Sequence, residues 1–289
     1  MTIRAYAKIN LGLRILRKRP DGFHDLETVF RQINNYDEIL FLPSGRDIVV
    51  ETNDPRVPKD EDNLCIRAAH LLRDITGVDK GVRIRLTKNI PVGAGLGGGS
   101  SNAAASLKAL VKFWGLALRP HELMRIALNL GSDVPFFLKG GCALATGRGD
   151  VLEHFDLDLP YWILVVTPQL QVSTSWAYAH VTIEENSKDQ LKNLVADFAR
   201  WPSKFSDLVK NDFEPLVFAA HPEVAGIKKM LLQEGAVFAL MSGSGSSVFG
   251  LFPDDETANM AALKFSKTHY TSLTEPTFQP ITAPVPGKA

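Results

Sequence analysis

The chain has 289 residues, of which 45% are hydrophobic and 22% charged, and this balance predicts one large or two ordinary packed domains. Lysine plus arginine and aspartate plus glutamate both number 32, so the formal net charge of zero argues against bulk attraction to nucleic acid or an anionic membrane. The chain has no run near the roughly 18 apolar residues of a membrane span and no apolar signal-peptide core, so we expect a cytoplasmic protein.

The first part of the chain is predicted to mix strands and helices. Residues 1–16 are expected to form a strand that carries Lys8 and Asn10, and R-P-D-G follows it as a turn. Later strands are predicted at 26–33, 37–42, 47–51, 82–86 and 142–146. Apolar residues at helical spacing predict helices that begin near residue 64, directly after the glycine-rich segment described below, and at 121.

A second unit is predicted to begin near Phe155. It is expected to contain strands at 163–166, 236–241 and 247–252, and helices through 191–198, from Pro222 onward and through 258–265. The tail from Thr274 onward holds four prolines and is predicted to be extended or loose.

The segment from Pro91 to Ala105, P-V-G-A-G-L-G-G-G-S-S-N-A-A-A, is the most informative stretch. It places five glycines within seven residues, and two serines, directly before an amphipathic helix pattern. Glycine lets backbone N–H groups turn toward one point, and a helix N-terminus adds unpaired donors and the positive end of the macrodipole. This combination predicts a phosphate-binding loop, with Ser100 and Ser101 as hydroxyls that could reach phosphate or a metal.

Several residues with reactive side chains carry little information on their own. A lysine on a strand, such as Lys8, usually faces solvent, and Asp133 before V-P is typical of a helix N-cap. Cys65 and Cys142 lie in apolar surroundings without the spacing of metal ligands, so buried, reduced thiols are expected. G-R-G-D at 147–150 contains the Arg-Gly-Asp triplet of cell-adhesion ligands, but without a secretion signal we interpret it as coincidence.

Two familiar nucleotide-binding motifs fit poorly. The chain has no G-x-x-x-x-G-K-[ST], so a P-loop is excluded. Gly93, Gly95 and Gly98 satisfy G-x-G-x-x-G, but the dinucleotide fold needs a strand running straight into the motif and an acidic residue about 20 positions later. Pro91 intervenes after the strand, so a nucleoside triphosphate is favoured over a dinucleotide.

Three motifs occur together in an order typical of one superfamily. They are A-K-I-N-L-G-L at 7–13, the glycine-rich segment, and L-M-S-G-S-G-S-S-V-F-G at 240–250. This set resembles the galactokinase, homoserine kinase, mevalonate kinase and phosphomevalonate kinase (GHMP) superfamily over essentially the whole chain. The resemblance implies an α+β fold with a ribosomal-protein-S5-domain-2-like N-terminal domain, a ferredoxin-like C-terminal domain and an active site in the cleft between them. We predict domain bounds of 1–154 and 155–289.

Shorter matches narrow the resemblance. The motifs that carry this likeness are R-P-D-G-F-H at 19–24, E-D-N-L at 61–64 and G-S-D-V-P-F-F at 131–137, together with the lysine motif and L-G-G-G-S-S-N-A-A. With these motifs the chain looks like the 4-diphosphocytidyl-2-C-methyl-D-erythritol kinases of the methylerythritol phosphate route to isoprenoids. Such a kinase transfers the ATP γ-phosphoryl group to the 2-hydroxyl of its substrate and uses Mg²⁺. The partners expected are therefore ATP and a small molecule, with no nucleic acid and no membrane, in a monomer or weak homodimer.

The resemblance assigns roles to residues by position. Lys8 and Asp133 match the catalytic pair, with Asp133 as general base. Phe23 and His24 match the cytosine pocket, where family members often have tyrosine at the first position, so stacking is expected without a hydroxyl contact. Thr174 and Tyr178 match the second wall of that pocket. Substrate binding is assigned to Asn10, Phe23, His24, Asp133, Thr174, Tyr178, Gly243, Ser244 and Gly245. ATP binding is assigned to Asn63, Leu64, Lys88, Pro91, Val92, Gly93, Ala94, Gly95, Leu96, Gly97, Gly98, Gly99, Ser100 and Ser101, and a metal-ligand role to Ser101.

Two other functions stay open at this point. A sister kinase for homoserine or mevalonate would share the three motifs, but such a substrate would not need the base-stacking platform that R-P-D-G-F-H indicates. A regulator that kept the fold and lost turnover would not need both Lys8 and Asp133. The sequence therefore favours the cytidyl-substrate kinase over both.

Overall fold

Two β-sheets with helices packed on them organise the chain in the computed structural model, which describes residues 1–183, 191–200 and 207–281. Among these residues the first sheet contains six strands: β1 Thr2–Lys18, β2 His24–Leu42, β3 Ile48–Thr52, β4 Val82–Thr87, β5 Cys142–Thr146 and β6 Val151–His154. The helices of this part are α1 Leu64–Thr76, α2 Gly98–Trp114, α3 Pro120–Leu130 and α4 Val134–Lys139.

The second sheet follows in the chain and is antiparallel throughout. Its strands, in the spatial order β10-β7-β9-β8, are β7 Trp162–Thr167, β8 Phe238–Met241, β9 Val248–Phe252 and β10 Tyr270–Thr274. Its part of the chain carries the helices α5 Thr174–His180, α6 Leu191–Arg200, α7 Glu214–Ala220, α8 Pro222–Gln233 and α9 Asp255–Phe265. The α+β class is confirmed. The boundary predicted after residue 154 falls directly after β6 and stays a prediction.

The long hairpin of β1 and β2 is the spine of the first sheet. The two strands pair antiparallel, and β2 also pairs with β4 and β5 along different stretches. The pairing shifts register between Tyr6 and Lys8 and again between Asn10 and Leu13, which are β-bulges. Bulges bend a strand and change where its side chains point, and they are common beside active sites.

Alternation along β1 separates its apolar and polar side chains. Ala7, Ile9 and Leu11 are fully buried in a core shared with β7 and β9 of the second sheet. Because successive strand residues point to opposite faces, Lys8 and Asn10 point away from that core. The packing of the two sheets thereby fixes which side of β1 faces the functional cavity.

Two strand predictions were wrong in extent. The strands predicted at 26–33 and 37–42 form one strand, β2, because the polar residues between them find partners. The Asn34 N–H donates to Thr274 Oγ1 at 2.9 Å, and Asn35 Oδ1 accepts from the Tyr270 hydroxyl at 3.0 Å. Both partners come from β10, more than 200 positions away in the chain, so the local pattern could not reveal them.

Short elements also escaped the sequence patterns. These are α5, α7, β6 and β10, each four to seven residues long, which is too short to show a hydrophobic period. The predicted loose tail is partly wrong for a similar reason: Phe278 is buried and its ring lies 5.4 Å from that of Tyr6. Residues 282–289 of that tail lie outside the described residues.

The two cysteines are buried and unpaired, as predicted. Burial raises the pKa of Cys65 to about 11 and that of Cys142 to about 12, so both thiols stay protonated at neutral pH. Within the described parts of the chain, no helix is long and apolar enough to cross a membrane.

A buried carboxylate, Asp37, ties β2 to the segment that leads into the glycine-rich loop. Its side chain is fully buried. Its Oδ1 accepts from the backbone N–H groups of Asn89 and Ile90, at 2.7 and 2.9 Å, and its Oδ2 accepts from Asn102 Nδ2 at 2.8 Å and from Lys88 Nζ. Four donors compensate for the water that this charge loses on folding.

We expect Asp37→Asn to lower the free energy of unfolding by about 3 kcal/mol, because it leaves the buried Lys88 ammonium without its counter-charge. Urea denaturation would measure the change. The matched control is Asp79→Asn, whose carboxylate is 53% exposed and should matter by less than about 1 kcal/mol. Equal stability of the two variants would contradict the importance of the buried pair.

Candidate active site

One large cavity, of about 940 Å³, lies between the two parts of the fold. It is lined by β1 and the turn after it, the glycine-rich loop, the segment before α4, α5 and the loop between β8 and β9. Every residue that the sequence assigned to catalysis, ATP or substrate lines this cavity, except Ser101 and Gly245. Tertiary structure thus brings together motifs whose residues, such as Lys8 and Ser244, lie more than 230 positions apart in the chain.

Lys8 and Asp133 form an ion pair inside this cavity. Lys8 Nζ lies 3.6 Å from Asp133 Oδ2, and the lysine side chain is only 5% exposed while that of Asp133 is 34% exposed. Lys8 Nζ also donates to Asn10 Oδ1 at 2.6 Å and lies 4.8 Å from the centre of the Phe30 ring. The expectation that a lone strand lysine faces solvent is therefore wrong here.

Two features of the environment of Lys8 act in opposite directions on its charged form. Burial lowers the pKa of the Lys8 ammonium, and the Asp133 carboxylate acts in the opposite direction. The ammonium is thus an ion whose charged form depends on the neighbouring carboxylate. This is the electrostatic pattern that groups taking part in proton transfer commonly show.

Asp133 occupies the N-cap position of α4, yet its side chain makes no capping hydrogen bond. A capping side chain accepts from the second or third helical N–H, and Pro135 at the second position removes one of these two donors. The N-cap position predicted for Asp133 is confirmed, but its side chain does not cap the helix. The carboxylate remains available to Lys8 and to the cavity.

The carbonyl oxygens of the glycine-rich loop accept hydrogen bonds from β1 and from the loop between β8 and β9. Leu96 O accepts from the Lys8 N–H at 3.0 Å, Gly95 O accepts from Ser242 Oγ at 3.0 Å, and Ala94 O accepts from the Ser247 N–H at 3.2 Å. Gly95 itself has φ +77°, and a Cβ there would overlap the Ser242 carbonyl oxygen. Glycine is thus required by both the backbone angle and the close approach of the second glycine-rich stretch.

Helix α2 begins at Gly98 beside the cavity and has no side-chain cap, because its N-cap residue is Gly97. The first N–H groups of a helix have no acceptor within it, and they lie at the positive end of the helix dipole. Gly98, Gly99 and Ser100 line the cavity at this point. The arrangement is suited to binding phosphate, as the sequence predicts.

Three sequence assignments need correction in detail. Ser101 is buried, lies outside the cavity lining and donates its hydroxyl to Tyr6 O at 2.6 Å, so its geometry does not fit a metal ligand. Gly245 also lies outside the lining. It packs against the second part of the fold, where a Cβ at this position would meet Met241 Sδ at 2.9 Å. Lys88 lines the cavity, but its ammonium is held by Asp37.

The predicted adenine side of the cavity is built around the start of α1. Asn63 caps this helix, accepting from the Cys65 N–H at 2.8 Å and donating from Nδ2 to Pro58 O at 2.7 Å. Both ends of its amide are therefore engaged within the protein. Asn63 shapes the cavity wall together with Leu64, and its amide holds the preceding polar loop in place.

Aromatic side chains form the predicted base pocket. The rings of His24 and Tyr178 stack with centroids 5.2 Å apart, and Phe213 meets Tyr178 edge-on at 4.9 Å. Phe23 is 53% exposed at the cavity rim, so its ring is accessible. Burial, followed by the charge of Lys18, lowers the pKa of His24, which therefore offers one donor and one acceptor nitrogen at neutral pH.

Sequence reasoning missed several residues that line the cavity. The Arg148 guanidinium lies 4.8 Å from the centre of the Phe23 ring, so the Arg-Gly-Asp triplet interpreted as coincidence supplies a cation beside the pocket. Lys18, Thr28, Phe30 and Phe213 also line the cavity. Only Lys18 and Thr28 lie near a recognised motif, and no local pattern marks the others.

The chain matches two family descriptions, GHMP kinases N terminal domain over residues 63–141 and GHMP kinases C terminal over residues 190–271. A relative from Prosthecochloris aestuarii, named 4-diphosphocytidyl-2-C-methyl-D-erythritol kinase, is 47% identical over 281 residues, covering 96% of this chain and 98% of the relative.

Solved structures agree with these matches. A crystal structure of 4-(cytidine 5'-diphospho)-2C-methyl-D-erythritol kinase superposes with a TM-score of 0.81 at 34% identity, covering 95% of this chain and 98% of that one. The homoserine kinase of Cytophaga hutchinsonii superposes with a TM-score of 0.70 at 21% identity, covering 94% of each chain. The second likeness shows a shared fold alone.

We expect Gly95→Ala to weaken ATP binding by at least about tenfold, because the added Cβ pushes the loop away from Ser242. Titration with a fluorescent ATP analogue would measure the affinity. Gly115→Ala is the matched control: its φ is +71°, but a Cβ there meets nothing within 4 Å. The control should lose only stability, of about 1 kcal/mol, and equal ATP affinity in both variants would contradict the argument.

Proposed function

The chain belongs to the 4-diphosphocytidyl-2-C-methyl-D-erythritol kinase family of the GHMP kinases, and on that premise we propose how its residues bind and phosphorylate their substrate. The reaction is the ATP-dependent phosphorylation of 4-diphosphocytidyl-2-C-methyl-D-erythritol, on its 2-hydroxyl, in the methylerythritol phosphate route. The observation that carries the residue assignments is the Lys8–Asp133 pair, which lies in the same cavity as the phosphate-binding loop and the aromatic pocket.

ATP is assigned to the half of the cavity that contains α1, the glycine-rich loop and the start of α2. The adenine lies against Asn63 and Leu64, and the phosphates face the free N–H groups of Gly98, Gly99 and Ser100. Phosphoryl transfer demands mainly positioning and neutralisation of charge, which fixed N–H dipoles provide without rearrangement.

Mg²⁺ is proposed to arrive with ATP. No group of three histidine, cysteine, aspartate or glutamate side chains in the described part of the chain is arranged to hold a metal ion, and the hydroxyl of Ser101 does not fit. In nucleotide sites this ion takes most of its ligands from phosphates and water. When bound, it neutralises phosphate charge, and no step below depends on its position.

Asp133 is proposed to accept the proton of the attacking hydroxyl, with Lys8 beside it as its counter-ion. A carboxylate that faces the reacting hydroxyl can act as a general base. As the hydroxyl oxygen attacks the γ-phosphorus, the bond from that phosphorus to the β–γ bridging oxygen breaks, and the proton moves to Asp133. The Lys8 charge also offsets negative charge on the transferring group.

The cytosine base is assigned to the pocket of Phe23, His24 and Tyr178. Aromatic faces bind a flat base by stacking, and a neutral histidine can both donate to and accept from the base edge. Lys18 and Arg148 lie at the same end of the cavity and suit the diphosphate of the substrate. Homoserine and mevalonate carry no nucleobase, so this aromatic pocket favours the cytidyl substrate over either of them.

Location and oligomeric state are two further proposals. A cytoplasmic location is supported by ATP as phosphoryl donor and by the two unpaired thiols. A monomer or weak homodimer stays a prediction.

An ATP-consumption assay with three acceptors tests the substrate assignment. We expect turnover with 4-diphosphocytidyl-2-C-methyl-D-erythritol and at least about 100-fold lower kcat/KM with homoserine or mevalonate, since neither fills the aromatic pocket. Preference for homoserine or mevalonate would contradict the assignment. No turnover with any of the three would favour a protein that has lost catalysis.

We expect Asp133→Asn to lower kcat by about 10² to 10⁴, the usual range for loss of a general base, with little change in KM. Lys8→Met should fail similarly, because it removes the cation that pairs with Asp133 and offsets negative charge on the transferring group. Steady-state kinetics would measure both, and Asp62→Asn, another carboxylate that lines the cavity, is the matched control and should lose far less. Near-normal turnover by Asp133→Asn would exclude Asp133 as the base.

A further inference from the structure

Thr28 lies next to the catalytic pair without touching it. It is a buried residue of β2, its side chain lines the cavity, and it pairs across the hairpin with Leu13. No sequence motif marks it, and the proposed reaction gives it no role. Its hydroxyl nevertheless occupies the end of a chain of hydrogen bonds that begins at Lys8.

This chain has three links. Lys8 Nζ donates to Asn10 Oδ1 at 2.6 Å, Asn10 Nδ2 donates to Thr28 Oγ1 at 2.8 Å, and Thr28 Oγ1 donates to the Gly12 carbonyl oxygen at 2.6 Å. Asn10 and Thr28 are both at most 2% exposed, so water competes little for these groups. All three links are short, which is favourable for hydrogen bonds in a buried site.

The direction of each link follows from which atoms can donate. A carbonyl oxygen only accepts, so the single proton of the Thr28 hydroxyl is committed to Gly12. The hydroxyl oxygen must then accept from Asn10, and only the amide nitrogen of Asn10 can donate. The Asn10 amide therefore has one orientation, with Nδ2 toward Thr28 and Oδ1 toward Lys8.

The bulge in β1 makes this arrangement possible. Gly12 lies between Asn10 and Leu13, where the register with β2 shifts, and it has φ +87°. A Cβ there would meet the Leu191 side chain at 2.8 Å, so glycine also allows α6 to pack against the bulge. The carbonyl that accepts from Thr28 belongs to this constrained residue.

We infer that Thr28 is a positioning residue, whose hydroxyl fixes the Asn10 amide so that its oxygen holds the Lys8 ammonium beside Asp133. The Lys8 ammonium selects the same orientation from the other end, since it can only donate, so the Thr28 hydroxyl serves as the second anchor of the amide. Without it the amide is held at one end only, and its movement would carry Lys8 away from Asp133. The inference rests on the proposed roles of Lys8 and Asp133 for its effect on turnover.

The kinetic test compares Thr28→Val, which keeps the volume and removes the hydroxyl, with Thr28→Ser, which keeps the hydroxyl. We expect Thr28→Val to lower kcat by about 10- to 100-fold, as a misplaced catalytic group does, while KM for ATP stays near that of the wild type. Thr28→Ser should stay within about threefold of the wild type, since the same hydrogen bonds can form. Normal kcat in Thr28→Val, or equal loss in Thr28→Ser, would overturn the inference.

Thr274→Val is the matched control for loss of a buried threonine hydroxyl. Thr274 is 2% exposed, its Oγ1 accepts from the Asn34 N–H at 2.9 Å, and it neither lines the cavity nor bonds to Lys8, Asn10 or Thr28. Both valine variants should melt at lower temperature, because each leaves a buried group unpaired. Only Thr28→Val should lose turnover. An equal loss of kcat in Thr274→Val would show that destabilisation alone explains the lower turnover, and it would overturn the inference.

A measurement without substrate separates this inference from the proposed function. In wild-type protein labelled with ¹⁵N-asparagine, the Asn10 side-chain amide should exchange slowly with solvent and show a nuclear Overhauser effect to the Thr28 methyl group. Comparison with Asn10→Ala identifies its signal. A rapidly exchanging amide with no such contact would overturn the positioning role, whichever acceptor the enzyme phosphorylates and whether or not Thr28→Val folds.

Discussion

The burial of the Lys8 ammonium beside Asp133 is the interaction on which the rest of the site depends. An unpaired charge at such a position would be strongly unfavourable, so the surrounding structure must supply compensation. It does so through the Asp133 carboxylate, the Asn10 amide oxygen and the face of the Phe30 ring. Asp133 stands at the N-cap of the helix that follows, yet its carboxylate makes no capping bond, and Pro135 removes one of the two N–H groups that a cap could use. Local chemistry at several elements therefore converges on one ion pair.

Close backbone approach is the second constraint, and it joins the two parts of the fold. The loop after β8 lies against the glycine-rich loop, through Ser242 Oγ to Gly95 O and the Ser247 N–H to Ala94 O. The Asn10 N–H donates to the same Ser242 hydroxyl at 3.3 Å, so β1 is connected to both loops. Three motifs far apart in sequence thus share one hydrogen-bond network, and the phosphate-binding loop takes its shape from residues outside its own segment.

Charge in the cavity is divided between fixed and available groups. Asp37 neutralises Lys88 at the edge of the phosphate-binding region, and Asp133 neutralises Lys8 at the centre. Lys18 and Arg148 line the cavity near the aromatic pocket, where we propose that they meet the substrate diphosphate. A chain with no net charge can in this way present a local binding site for two polyanionic molecules. The electrostatic potential at each place in the cavity depends on whether the lysine or arginine there is neutralised by a nearby carboxylate.

The sequence by itself determined the family and the α+β class, and it singled out the glycine-rich loop, Lys8 and Asp133 as site candidates, because short motifs with fixed spacing carry this information. It could not determine that Ser101 points to Tyr6 or that Asp133 leaves its cap unmade, since those depend on which neighbour each side chain meets. Nor could it connect Asn34 with Thr274, or place Arg148 beside Phe23, because contacts between distant segments have no local period. Tertiary structure alone decided which polar groups are committed within the protein and which remain free for ligands, since a hydrogen-bonding group's role is set by the partners that folding brings to it.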